Sequence, residues 1–207
     1  MRKAINHLKK ADPVMATIIE QVGQCQMQHS DPTFEALARS IVYQQLSGKA
    51  AGTIYGRLVA AASDPLTPEA VMRLTHEQLR AVGLSTQKAK YVHDLAERTS
   101  RSEIDFPALR EMDDQQVIDV LTQVKGVGVW TVHMFLMFSL QRPNVLPSGD
   151  LGIRNAVKKA YRMRKVPTPA DIEKRAKSWH PYCSIASWYL WRSLEIKPEQ
   201  ISVRTAD

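Results

Sequence analysis

The chain has 207 residues, 44% of them hydrophobic, enough to bury a real core as one domain or as two small lobes sharing it. No stretch approaches the roughly 18 consecutive apolar residues of a membrane helix. The start, Met1 to His7, runs into Lys9 and Lys10 and not into an apolar leader, so the expectation is a cytosolic protein, in the nucleoid of a bacterium or the nucleus of a eukaryote. The net charge of +7, from 28 Lys and Arg against 21 Asp and Glu, favours a polyanionic partner. Cys25 and Cys183 form no CxxC spacing, which argues against a disulfide framework, a zinc site or an iron-sulfur cluster.

In chain order, helix starts are marked by a capping side chain followed by proline: Asp12-Pro13, Asp31-Pro32, Thr67-Pro68 and Thr168-Pro169. Val14, Ile18 and Val22 then recur at helical spacing before Gly23, and Phe34, Leu37, Ile41 and Val42 before Gln44-Gln45. Ser85 opens a helix through Tyr91, Val92 and Leu95. Further helices are predicted at Asp113 to Val124, Val129 to Leu140, Asp150 to Tyr161 and Ser184 to Leu194. No run alternates with the period of a half-buried strand, so the chain reads as all-α with about ten helices. The sharpest breaks, Gln141 to Gly149 and Lys165 to Pro169, are too short to separate independent domains.

The most informative segment is Lys125-Gly126-Val127-Gly128, where one amphipathic helix ends and another begins at once. Glycine takes such a turn without steric cost, and backbone N–H groups at a helix N-terminus seat a phosphate. Lys125 adds charge beside it. Asp150 follows Leu146-Pro147-Ser148-Gly149, twenty positions beyond Trp130, and heads a helix as an N-cap would. A cap fixes a carboxylate where the helix dipole favours the anion.

The hairpin and the aspartate loop together resemble the helix-hairpin-helix base-excision DNA glycosylases, above all the compact form of the 3-methyladenine DNA glycosylase II family. The resemblance covers about Phe34 to Leu194. Gln44-Gln45-Leu46-Ser47, the hairpin, the aspartate loop and Trp179-His180-Pro181-Tyr182 with Ala186 to Arg192 occur in the family's order. It implies a single glycosylase domain over residues 1–207, in two lobes with a DNA cleft between them and the hairpin at about 117–140.

By that resemblance Asp150 is the catalytic carboxylate, Trp130, Trp191 and Tyr182 line the base pocket, and Leu46 with Ser47 supplies the wedge that fills the gap left by a flipped base. Trp188, at helical spacing, is read as core. Lys125, Gly126, Val127, Gly128 and Thr131 grip a phosphate, and carbonyls of Thr122, Val124 and Val127 hold a structural Na+ or K+. No cofactor is implied for catalysis. The partner is duplex DNA containing damaged bases, there is no membrane, and the protein is expected to be a monomer.

Bifunctional members carry a catalytic lysine at the position held here by Trp130, so the resemblance implies monofunctional hydrolysis of alkylated bases such as 3-methyladenine and 7-methylguanine. Ser40 stands where adenine-mispair members have a glutamate, and Cys183 where an arginine commonly follows Pro-Tyr. The N-terminal β-rich domain of larger relatives has no counterpart, since helix signals begin near Asp12. A noncatalytic DNA-binding module, a bifunctional glycosylase and lyase, and a helical interaction scaffold are the alternatives.

Overall fold

The computed structural model describes residues 1–62 and 65–196, and among them there are twelve α-helices, one 3-10 turn at Ala108–Arg110 and no strand. The helices are α1 (Arg2–Ala11), α2 (Pro13–Val22), α3 (Phe34–Tyr43), α4 (Gly48–Ala62), α5 (Pro68–Met72), α6 (His76–Ala81), α7 (Thr86–Ser100), α8 (Asp114–Leu121), α9 (Val129–Phe138), α10 (Leu151–Ala160), α11 (Pro169–Ala176) and α12 (Cys183–Ser193). Two more helices exist than the sequence pattern suggests, in part because α1 starts without a capping side chain and so leaves no signal before Asp12.

Local chemistry sets most of the boundaries. Asp12, Thr67 and Thr168 cap the helices that their following prolines open. Reciprocal capping boxes close Thr75 with Gln78 and Asp113 with Gln116. The start at Asp31-Pro32 is displaced: the N-cap is Thr33, whose hydroxyl accepts the Ala36 N–H at 3.2 Å, and α3 begins at Phe34.

The chain divides into two compact units. The first joins residues 1–28 to the segment from Gln141 onward, so that α1 and α2 pack on α12, and α12 on α10. Asp12 sits in this unit at 7% exposure. Its carboxylate caps α2 and accepts the Trp179 indole N–H at 3.0 Å and the Tyr161 hydroxyl. A buried carboxylate survives only where donors replace its water, and here the backbone, an indole and a phenol do so. Burial first, then the neighbouring Asp12, raises the Tyr161 phenol well above its ordinary range.

The second unit runs from His29 to Leu140 and is organised on α7, against which α3, α5 and α6 pack, with α8 and α9 forming the hairpin. Its core includes Leu37, Ile41, Leu79, Leu95, Leu121 and Leu136, all fully buried. Charge is unevenly shared: residues 29–140 hold 11 Lys and Arg against 13 Asp and Glu, leaving 17 against 8 elsewhere. The basic surplus therefore lies outside the hairpin's unit.

Candidate active site

In the first unit, Asp150 is the N-cap of α10. Its Oδ1 accepts the Ile153 N–H at 2.8 Å and the Trp191 indole N–H at 2.8 Å. The carboxylate is thus held from its own helix and from the last turns of α12. Gly152 makes room for this arrangement, because a Cβ there would lie 3.0 Å from Asp150 Oδ1 and 3.0 Å from Trp191 Cδ1.

Ser184 anchors the loop that delivers Asp150. Its N–H donates to the Pro143 carbonyl at 3.0 Å, its hydroxyl to the Arg142 carbonyl at 2.6 Å, and the Val145 N–H donates to its Oγ at 2.9 Å. At the other end of the loop the Asp150 N–H donates to Pro147 O at 2.9 Å, and Ser148 Oγ donates to Glu173 Oε1 at 2.8 Å.

Trp191 is half-buried beside Asp150, with its N–H committed to the carboxylate. Tyr182 is not brought to this pair. It is the N-cap of α12, edge-on to His7 at 5.4 Å. Nine residues of helical rise put it roughly 14 Å along the axis from Trp191. Trp188 is a core residue at 8% exposure, packed edge-on against Tyr189.

In the second unit the hairpin is built as a braced turn. Gly126 has φ +78°, and a Cβ on it would fall 2.1 Å from the Tyr91 ring, so conformation and packing both demand glycine there. Gly128 is different. Its φ is −95° and a Cβ would meet nothing within 4 Å, so the steric reason expected for both glycines applies only to the first.

The residues expected to grip a phosphate differ in their surroundings. The Val127 N–H donates to the Val124 carbonyl at 3.1 Å and its side chain is 4% exposed. The Lys125 N–H and ammonium both turn to Asp94, each at 3.0 Å, so this charge is partnered within the protein. Burial would raise the Asp94 carboxyl, but the N–H and ammonium of Lys125 and the guanidinium of Arg98 outweigh it and leave it below its ordinary value. Thr131 is buried at 5%, its hydroxyl 3.5 Å from the Gln44 amide. Lys125, Gly126, Gly128, Val129 and Trp130 are the exposed residues here, and no side chain caps α9.

Among the described residues the carbonyls of Thr122 and Val127 accept no hydrogen bond, and that of Val124 accepts only the Val127 N–H. This suits a cation held by carbonyls. Cys25 and Cys183 are both free thiols, and burial pushes Cys183 up to about 12.

Beside the hairpin lies a pocket of about 630 Å³ lined by Ser40, Tyr43, Gln44, Gln45, Gly126, Trp130, Thr131 and Met134. Trp130, 51% exposed on the first turn of α9, forms one wall. Gln44 ties the end of α3 to the hairpin, its amide donating to the Gly126 carbonyl at 2.9 Å. Beyond it Gln45 is left-handed at φ +56°, Leu46 is 40% exposed, and the Ser47 hydroxyl accepts the Ala50 N–H at the head of α4. Leu46 is therefore not a core leucine closing its helix.

Among the described residues the fold is all-helical, with a glycine hairpin in one unit and a helix-capping aspartate in the other. Residues 38–181 match the family of HhH-GPD superfamily base excision DNA repair proteins, and the chain belongs to that family. It is 34% identical to DNA-3-methyladenine glycosylase 1 of Schizosaccharomyces pombe over 203 residues, covering 95% of this chain and 89% of that protein. The S. pombe 3-methyladenine DNA glycosylase Mag1 in complex with abasic DNA superposes with a TM-score of 0.82 at 33% identity, over 94% of this chain and 97% of that one. A DNA-3-methyladenine glycosidase from Bacillus halodurans gives 0.84 at 34% identity, over 92% and 88% of the respective chains.

Proposed function

We propose that the protein is a monofunctional DNA glycosylase that hydrolyses the N-glycosidic bond of alkylated purines in duplex DNA, in base excision repair. The observation that carries this reading is the Asp150 carboxylate, fixed by Ile153 N–H and Trp191 N–H at the head of α10. The family and the similarity to 3-methyladenine DNA glycosylases support it.

Cleavage breaks the C1′–N bond, with the electron pair leaving on the base, and the sugar passes through an oxocarbenium-like state. A carboxylate already oriented near C1′ stabilises that positive charge without reorganising. Water then adds to C1′ and loses a proton. An N-alkylated purine is cationic before it departs, so no strong general acid is required of the protein.

The exposed Trp130 supplies an aromatic face for the flipped base, and stacking with cation-π attraction contributes about 0.5 to 2 kcal/mol. Trp191 orients Asp150 through its indole N–H and offers a second aromatic face beside the carboxylate. Leu46 is the wedge, filling the stack from which the base was drawn. Gly128 and the first turn of α9 receive a backbone phosphate. Carbonyls of Thr122, Val124 and Val127 would hold Na+ or K+, which would add positive charge at the phosphate seat.

The test is base release from methylated duplex DNA. Appearance of free 3-methyladenine or 7-methylguanine with an intact sugar-phosphate strand is the expected result. Binding to such DNA without release would overturn the reading in favour of a noncatalytic module.

A further inference from the structure

The last turn of α3 contains no basic residue, yet two of its terminal carbonyls meet a cation from elsewhere. Lys88, on the first turn of α7, directs its ammonium to the carbonyl of Val42 at 2.7 Å and to that of Gln44 at 2.5 Å. Helix C-termini leave such carbonyls without intrahelical partners and carry partial negative charge, so a cation there is favourable. Burial lowers the Lys88 pKa, as befits an ammonium drawn from water toward fixed carbonyls.

Directly after this clamp the chain enters an unfavourable conformation. Gln45 occupies the left-handed region at φ +56°, where glycine would be the ordinary choice. A strained residue persists where the surroundings over-determine it. Two fixed points do so here: the Lys88 ammonium on the Gln44 carbonyl, and the Gln44 amide on the Gly126 carbonyl at 2.9 Å. The next residue is the exposed Leu46.

We propose that Lys88 is a positioning residue for base extrusion: its ammonium locks the end of α3 and aims the Gln45-Leu46 corner at the DNA stack, with no contact of its own to the reacting atoms. This rests on Leu46 being the wedge of a glycosylase. The cost of unstacking is greatest for a well-paired base and smallest for a mispaired one, so a misplaced wedge is felt unequally by the two. A lysine that only stabilised the fold would affect both substrates alike.

The experiment compares wild type, Lys88→Met, Lys88→Arg, Leu46→Ala and Lys88→Met with Leu46→Ala, each confirmed folded by thermal melting. Single-turnover base release is measured on duplexes carrying one 7-methylguanine opposite cytosine or opposite thymine. Lys88→Met is expected to slow release from the paired lesion roughly tenfold, the scale of a hydrogen bond to a charged group. The mispaired lesion should be affected far less, and Lys88→Arg should recover part of the loss. The double variant should be no slower than Leu46→Ala. Equal losses on both duplexes, additive losses in the double variant, or wild-type rates in Lys88→Met would overturn the proposal while leaving the glycosylase intact. Absence of release by wild type would instead overturn the activity on which it rests.

Discussion

Trp191 Nε1 lies 2.8 Å from Asp150 Oδ1, on the same oxygen that accepts the Ile153 N–H. One oxygen of the carboxylate is thereby spent on orientation. Trp191→Phe keeps the aromatic bulk and removes the donor. Loss of a hydrogen bond to a charged group is worth about 1.5 to 3 kcal/mol, so base release should fall roughly ten- to a hundredfold, with DNA affinity preserved. Single-turnover rates with a binding titration check this, and an unchanged rate would remove Trp191 from the positioning role.

Gly152→Ala should harm catalysis more than folding. The new Cβ would press on both partners of the Asp150–Trp191 bond, at 3.0 Å from each. Relieving such overpacking costs about 1 to 3 kcal/mol, and the cheapest relief is to displace the carboxylate. The expected signature is a fall in the rate of base release well beyond what a drop of a few degrees in melting temperature accounts for, both measured on the same preparation.

Much of this was readable locally and the rest was not. The Asp-Pro and Thr-Pro pairs at 12, 67 and 168 act within one turn of helix, so their caps stand in the sequence as written. The bracing residues act across long separations: Lys88 reaches Gln44 from 44 positions away, Asp94 holds Lys125 from 31, and Ser184 holds Val145 from 39. Only tertiary packing pairs them, so composition and periodicity carry no trace. Gly126 and Gly128 look equivalent on paper, and the difference between them is a Tyr91 ring that folding brings under the first. The net charge of +7 pointed to a polyanionic partner without saying where the charge lies, and the hairpin's unit has more acidic than basic residues.

Acid should loosen the hairpin through Asp94. Its carboxyl is held below its ordinary 3.8 in the folded protein, so the folded state binds fewer protons than the unfolded chain. The stabilisation is complete above pH 3.8 and is lost as pH falls through the lower folded value. Wild type should therefore lose stability on acidification in this window, and Asp94→Asn should be less stable at neutral pH with a flatter acid limb. Urea midpoints between pH 2 and 6 measure both. Parallel curves would contradict the brace.

Trp130 occupies the place where the resemblance to bifunctional glycosylases puts a Schiff-base lysine, and an indole cannot form an imine. Borohydride added during turnover should trap no covalent protein–DNA adduct, as judged by gel mobility of labelled DNA. A trapped species in good yield would establish lyase chemistry from another amine.

The most direct test of the central claim is base release by Asp150→Asn. Asparagine keeps an oxygen that can accept the Ile153 and Trp191 N–H groups, and it removes the charge proposed to stabilise the developing oxocarbenium ion. The variant should bind lesion-bearing duplex as wild type does while base release falls at least about a hundredfold, a typical cost of removing an electrostatic stabiliser of the transition state. Wild-type rates of release from Asp150→Asn would contradict the account.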